Sequence, residues 1–346
     1  MKVELKSIYQ DLRDGRLTKA EALDRIRILK SKPSSHSGAG AMVATPHWEK
    51  SPLSPAGPVA AYESRHILLG GLRHLDPEAL ALRFSGVRCS RLRGALNEGP
   101  AEAYGESALD CFVRIKEILQ GKPKGKVLVQ IVVPDEPRAS LLAGLSGLLR
   151  TATLENPLLA GQVILTDAGD DADTLTGQLL EDQNHPQDSL ILHREGVRYA
   201  SAWKEAESQA AREGIAFKEG GTYLITGGLG GLGRIMAGEI LGRTRKAKVI
   251  LTGRSAVNAA VLSALEAMGA PDALEYRRLD VTNQPEVEAF MASLRETGGL
   301  DGILHCAGVL HDGLILKQPQ EEFLRALAPK VAGTCNLDLA ARDLDL

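Results

Sequence analysis

Twelve residues, TYLITGGLGGLG at 222–233, constrain this chain more than any others. Tyr223, Leu224 and Ile225 read as a short buried strand, the glycines that follow break any regular element, and a helical pattern resumes beyond them. Gly228, Gly230 and Gly233 satisfy GxGxxG in the context that gives that spacing meaning, directly after a strand and at the start of a helix. The expected division of labour is that Gly228 permits the tight turn and Gly230 lets backbone approach a pyrophosphate. Gly233 would let the helix pack closely, while Thr226, Leu229, Gly231 and Leu232 complete the loop that cradles the phosphates at the helix N-terminus. The alternative is a flexible glycine-rich turn without a ligand.

Strands are predicted at 222–226, 248–252, 274–279 and 300–305, separated by helical patterns, which is the βαβ rhythm of a doubly wound sheet. The second strand ends in Leu251-Thr252-Gly253-Arg254-Ser255, where a site preferring NADH would carry an acidic residue for the ribose 2′-hydroxyl. A guanidinium there offers paired hydrogen bonds to a 2′-phosphate instead, so Arg254 and Ser255 predict NADPH. Arg254 as a solvated turn residue is the competing reading. Asp280-Val281 follows the third strand, where the carboxylate either accepts from an adenine amino group or serves as an N-cap or turn residue. After the fourth strand, Cys306, Ala307 and Gly308 leave room for a nicotinamide ribose. His305, Cys306, His311 and Asp312 match no common metal-ligand spacing, so no metal site is predicted. The basic run from Arg243 to Lys248 is expected to offset the dipole at a helix C-terminus, or else to meet an acidic partner.

The remainder of the 346 residues divides into three parts. Residues 1–32 read as a helical hairpin: Ile8 and Leu12 share one face before Gly15, and Thr18 with Glu21 forms a capping box ahead of the stripe Ala22, Leu23, Ile26 and Leu29. Too small to bury that stripe alone, the hairpin would pack on the body or on another chain. Residues 33–46, rich in Ser, Gly, Ala and Pro, read as a flexible linker. From 47 to 215, strands at 66–71, 126–133 and 161–167 alternate with helical segments at 106–121 and 140–156, with Gly121 as a C-cap signal. That part carries no phosphate loop, metal spacing or nucleophile elbow, since Gly144-Leu145-Ser146-Gly147 has the wrong glycine spacing. A net charge of −3, with Lys and Arg numbering 41 against 44 acids, gives no electrostatic footprint for nucleic acid. No apolar run approaches the ~18 residues a membrane span needs. Cys89, Cys111, Cys306 and Cys335 lie far apart, so neither a disulfide framework nor a zinc site is expected, and a reducing cytoplasm is the expected location.

TGGLGGLG, LTGRS, the DVT at 280–282, HCAGVLHDG and LAPKVAGTCNLD together resemble the ketoreductase domain of modular polyketide synthases, within the short-chain dehydrogenase/reductase superfamily. Upstream, GLLRTATLENP and HREGVRYA resemble the structural subdomain of those ketoreductases, a truncated Rossmann-like half that binds no cofactor, so the likeness covers roughly residues 47–346. IYQDLRDGRLTKAEALDRI is similar to the helical linker that precedes such domains where acyltransferases act in trans. The fold so implied is α/β: a helical hairpin (1–32), a linker (33–46), a Rossmann-like structural subdomain (47–215) and an incomplete Rossmann catalytic subdomain (216–346). The resemblance implies NADPH-dependent reduction of a β-ketoacyl thioester, carried by the phosphopantetheine of an acyl carrier protein, with other synthase domains as partners. In that family a Tyr donates the proton, a Ser orients the carbonyl and a Lys supports the transfer. Lys330 matches the Lys, and Asp312 matches the stereochemical fingerprint, although His311 stands where the family usually has another Asp. The fingerprint implies a B-type, D-hydroxyl product.

The departure from the family is that Leu346 falls ahead of the strand and helix that carry its Ser and Tyr. None of the six tyrosines lies beyond Lys330, so the chain alone is expected to be inactive, with its fourth strand an exposed edge. Two readings stay open: part of a working ketoreductase completed by further polypeptide, or a degenerate, noncatalytic scaffold within the synthase.

Overall fold

The computed structural model describes residues 44–51, 61–94, 99–206, 217–270, 272–344 and 346. The predicted hairpin and most of the predicted linker lie outside them. The chain divides into two compact units, Met1–Thr45 with Trp203–Glu207, and Pro46–Ala202 with Ser208–Leu346; the candidate site belongs to the second.

The first sheet has seven strands: β1 (Ala44–Lys50), β2 (Ser64–Leu69), β3 (Val87–Arg91), β4 (Val127–Pro134), β5 (Leu159–Thr166), β6 (Leu190–Arg194) and β7 (Val197–Glu205), in the order β1-β7-β6-β5-β4-β2-β3. All eight residues of β4, VLVQIVVP, are buried, as a strand covered on both faces requires. Helices α1 (Pro77–Ala81), α2 (Pro100–Gln120), α3 (Leu145–Glu155) and α4 (Ala172–Asp182) supply the cover. Phe112, Ile115 and Leu149 pack on one face with Val129, Ile131 and Val133. Leu80, Leu175 and Leu179 pack on the other with Ile67, Val132 and Ile164. The β6–β7 hairpin turns through Glu195 (φ 53°) and Gly196 (φ 71°), both in the left-handed region that a two-residue type I′ turn demands.

The second sheet is parallel throughout: β8 (Thr222–Thr226), β9 (Lys248–Gly253), β10 (Leu274–Arg278) and β11 (Gly302–His305), in the order β10-β9-β8-β11. Helices α5 (Gly231–Arg243) and α6 (Ala259–Glu266) lie against the face of Tyr223, Ile225 and Leu251. Helices α7 (Gln284–Glu296) and α8 (Gln320–Ala341) lie against the face of Leu224 and Ile250. From β8 the chain winds outward through β9 to β10, then crosses back to place β11 on the other side of β8. That reversal is a topological switch point, and the crevice beyond the carboxyl ends of β8 and β11 is where this architecture binds ligands.

The structure changes some local expectations. Strand β1 opens at Ala44, inside the stretch read as linker to residue 46; its residues are mostly exposed, so no apolar alternation betrays it. Gly121 does cap α2, but in the right-handed region (φ −65°), and Lys122 (φ 48°) takes the left-handed position. The segment read as one helix at 140–156 opens as a 3₁₀ stretch, Ala139–Gly144, before α3. Among the described strands β11 is an edge, yet half-buried rather than exposed. Among the described residues no helix is long and apolar enough to cross a membrane.

Candidate functional site

Five segments converge at the switch point on a cleft of about 270 Å³, lined by the turn after β8, the ends of β9 and β10, the loop after β11 and the middle of α8. The glycine-rich turn is built differently from its sequence expectation. The tight turn is made by Gly227, at φ 62°, where a Cβ would fall 2.7 Å from Ala307 Cα. Gly228 is required by close packing instead: its Cβ would stand 2.7 Å from Leu251 Cβ, and its N–H donates to the Thr252 carbonyl at 3.0 Å. Gly233 packs α5 onto this turn, since a Cβ there would meet Gly228 Cα at 2.6 Å. Gly230 is the N-cap of α5, with no side chain satisfying the first amides, which leaves N–H groups for an anion at the helix start. A Cβ on Gly231 would meet no described protein atom within 4 Å, whereas one on Gly230 would sit 3.1 Å from the Gly227 carbonyl. Leu229 is partly buried in the core beneath the turn, and Leu232 points outward at 65% exposure.

Thr226, fully buried at the end of β8, ties the two central strands together. Its hydroxyl meets His305 Nδ1 at 2.6 Å and accepts the Ala307 N–H at 3.3 Å. His305 Nε2 in turn lies 2.8 Å from the Pro329 carbonyl, and an oxygen with no proton requires that nitrogen to be the donor. In the neutral ring, Nδ1 then accepts from the Thr226 hydroxyl. Burial, and secondarily the charge of Lys330, hold the His305 pKa below the usual imidazole range. The strut anchors α8 one residue before Lys330, whose side chain runs beside Gly308: a Cβ there would come within 3.3 Å of Lys330 Cε and 3.5 Å of Nζ.

At the other end of the cleft stand Thr252, Gly253, Arg254, Asp280, Val281 and Thr282. The Thr252 hydroxyl is buried without a hydrogen-bond partner among the described residues. Thr252 lines the cleft, so the site carries a buried polar group whose hydrogen bond is unmade. Arg254 is exposed, bordering the cleft, and forms no ion pair among the described residues. Asp280 is not the N-cap of α7, a role filled by Asn283; it closes an Asx turn, its Oδ1 accepting from the Thr282 N–H at 3.0 Å and Thr282 Oγ1 at 2.8 Å. Buried Val281 accepts from Asn336 Nδ2 at 2.9 Å, which fixes the loop to α8. Ser255 accepts from the Tyr276 hydroxyl at 2.9 Å, and half-buried Cys306 packs among the apolar residues under the turn.

Asp312 is not among the cleft residues. It lines a separate cavity of about 460 Å³ with Tyr104, Phe112, Leu148 and Phe323. Gly227, Thr252, Thr282, Arg325 and Pro329 also line the cleft and were not singled out from sequence. Gly227 adjoins the motif and could have been found by asking which glycine must turn; Thr252, Thr282 and Pro329 lie within LTGRS, DVT and LAPKVAGTCNLD with no role assigned to them, and Arg325 carries no local signature. A larger cavity, about 570 Å³, lies between β2, β3 and α2, away from the glycine-rich turn.

A glycine-rich strand-to-helix turn, a switch-point crevice and open helix amides define a Rossmann-type dinucleotide-binding domain. Comparison with known proteins narrows the class. The family model described as KR domain matches residues 221–346. The chain is 41% identical over 251 residues to polyketide synthase PksL of Bacillus subtilis (strain 168), covering 71% of this chain and 5% of that protein. It is 33% identical over 303 residues to polyketide synthase PksN of the same organism, covering 86% and 6%. The chain thus spans a small fraction of the length of these relatives. Among solved structures, a ketoreductase domain from the bacillaene assembly line superposes with a TM-score of 0.77 at 30% identity, over 88% of this chain and 72% of that one. The chain belongs to the ketoreductase domain family of polyketide synthases. Domains of that family are oxidoreductases of the short-chain dehydrogenase/reductase type and bind a nicotinamide cofactor.

Proposed function

We propose that this chain forms the structural subdomain and the nucleotide-binding part of a ketoreductase that uses NADPH to reduce a β-ketoacyl thioester on an acyl carrier protein to the β-hydroxyacyl thioester. The observation that carries the cofactor choice is Arg254, an uncommitted guanidinium bordering the cleft beside the orphaned Thr252 hydroxyl. A 2′-phosphate accepts paired hydrogen bonds from such a group, and a 2′-hydroxyl does not. The first turn of α5 holds the pyrophosphate, and Cys306, Ala307 and Gly308 flank the nicotinamide ribose. When bound, the reduced nicotinamide supplies the hydride. Lys330, held beside Gly308 through the His305 strut, places a positive charge at the nicotinamide end and lowers the cost of charge developing on the carbonyl oxygen. Asp312 directs the B-type, D-hydroxyl outcome. Turnover also needs the family's proton-donating Tyr and carbonyl-orienting Ser.

Titration calorimetry with both nucleotides tests the cofactor assignment. NADPH should bind at least about tenfold more tightly than NADH, and Arg254→Ala should remove that margin by costing about 1.5–3 kcal/mol with NADPH alone. Equal affinities in the wild type would overturn it. A noncatalytic scaffold within the synthase is the second reading. It requires that supplying the C-terminal part of a ketoreductase restore no thioester-dependent NADPH oxidation.

A further inference from the structure

The loop between β11 and α8 carries Asp312, and the half of the molecule built on the first sheet holds that loop in place. The Glu155 carboxylate, at the end of α3, accepts the Ile315 N–H with both oxygens, at 2.9 and 3.1 Å. Lys116, on α2, donates from Nζ to the Gln318 carbonyl at 2.7 Å. The buried Gln318 side chain closes the loop on itself by donating to the His311 carbonyl at 2.8 Å. Gly313 permits that closure, since a Cβ there would stand 2.6 Å from Gln318 Oε1. Ile315, 4% exposed, is inserted into the core formed by Leu145, Leu149 and Phe112, and Phe323 stacks on Phe112 with ring centroids 4.4 Å apart.

The position of Glu155 argues for a purpose beyond its own helix. An acid in the last turn of a helix opposes the macrodipole, so Glu155 weakens α3. What offsets that cost is a charge-assisted hydrogen bond to a loop amide 160 residues later in the chain. Asp312 lies three residues before that amide, on the segment that Glu155, Lys116 and the Gln318 side chain fix at separate points.

We infer that Glu155 and Lys116 are positioning residues for the Asp312 loop, through which the half built on the first sheet governs which face of the ketone is reduced. The stereochemical part rests on the ketoreductase reading above; the latch itself does not. Hydrogen–deuterium exchange on the full chain tests the latch. Peptides spanning 309–319 should exchange at least about tenfold faster in Glu155→Ala, the effect of losing one charge-assisted hydrogen bond. Glu155→Gln, which keeps an acceptor oxygen, should restore part of the protection, and Lys116→Met should loosen the same peptides. Unchanged exchange in Glu155→Ala with an unchanged melting temperature overturns the latch. In a synthase module carrying this domain, the minor hydroxyl epimer should rise at least about fivefold in Glu155→Ala, while NADPH affinity stays within twofold. An unaltered epimer ratio with a loosened loop overturns the stereochemical control. A wild-type module that neither binds NADPH nor reduces the thioester overturns the ketoreductase reading and the stereochemical part with it, and leaves the exchange result to decide the latch.

Discussion

Individual glycines in the turn after β8 do separable jobs, and two substitutions expose the difference. Gly233→Ala pushes a Cβ against Gly228 backbone at 2.6 Å and should destabilise by about 1–3 kcal/mol, as overpacking does. Gly231→Ala meets no described protein atom, and as the first residue of a helix it should leave the melting temperature unchanged or raise it slightly. If phosphates lie against that amide, the same variant loses NADPH affinity. Thermal melts with and without nucleotide separate the cases, and a Gly231→Ala protein that binds NADPH normally would remove Gly231 from the cofactor site. Here the sequence was legible as a pattern but not as a set of roles. GxGxxG at 228, 230 and 233 located the turn, whereas the residue in the left-handed region is Gly227. Spacing alone cannot show which of eight neighbouring positions needs positive φ, because that depends on how close Ala307 comes from a loop 80 residues away.

At the scale of elements, β8, β11 and α8 are joined through one imidazole. His305 is held neutral with its pKa depressed by burial, so acid must break the strut. The sign follows from linkage: a depressed folded pKa leaves the full stability in place above the unfolded value of about 6.5, and that stability is lost as pH falls from there toward the folded pKa. His66, whose pKa is lowered by burial and by Arg88 and Arg114, adds with the same sign. The melting temperature should therefore fall between pH 7.5 and 5.5, and His305→Asn, less stable at pH 7.5, should show a smaller fall. An equal fall in the variant would remove His305 from the acid response. Strands β2, β4, β5, β8, β9, β10 and β11 lie within about two residues of their expected bounds. For β4, β5, β8 and β9 the reason is that a short continuous apolar run between turn signals is what a strand covered on both faces must present; β10 and β11, edges of the second sheet, were found from the βαβ rhythm around them. Strands β1, β3, β6 and β7 were not found, since edge and hairpin strands with mixed exposure leave no alternation to detect.

Across the whole molecule, the halves built on the two sheets share a core. The cluster around Phe112 and Leu149 also takes in Ile315, Phe323 and Leu327 from the second half of the sequence. The two should unfold together, giving one calorimetric transition whose van't Hoff and calorimetric enthalpies agree. Two separated transitions, one responsive to NADPH and one not, would contradict a shared core. That coupling had no signature in the sequence, where each half reads as its own α/β unit; it is produced by the loop after β11, through Ile315, and by the first turns of α8, through Phe323 and Leu327.

The pairing of the first strand with the last in the seven-stranded sheet also bears on how the protein is made. Arg198 donates to Ser51 Oγ at 2.9 Å and its carbonyl accepts the Ser51 N–H at 3.1 Å, across 147 positions of sequence. A ribosome adding about 5–20 residues per second leaves β1 without its neighbour for on the order of ten to thirty seconds. A strand that emerges early and docks late is exposed to every other nascent chain nearby. Pro46, Glu49 and Lys50, in the strand ATPHWEK, are residue types that discourage such unwanted pairing while it waits.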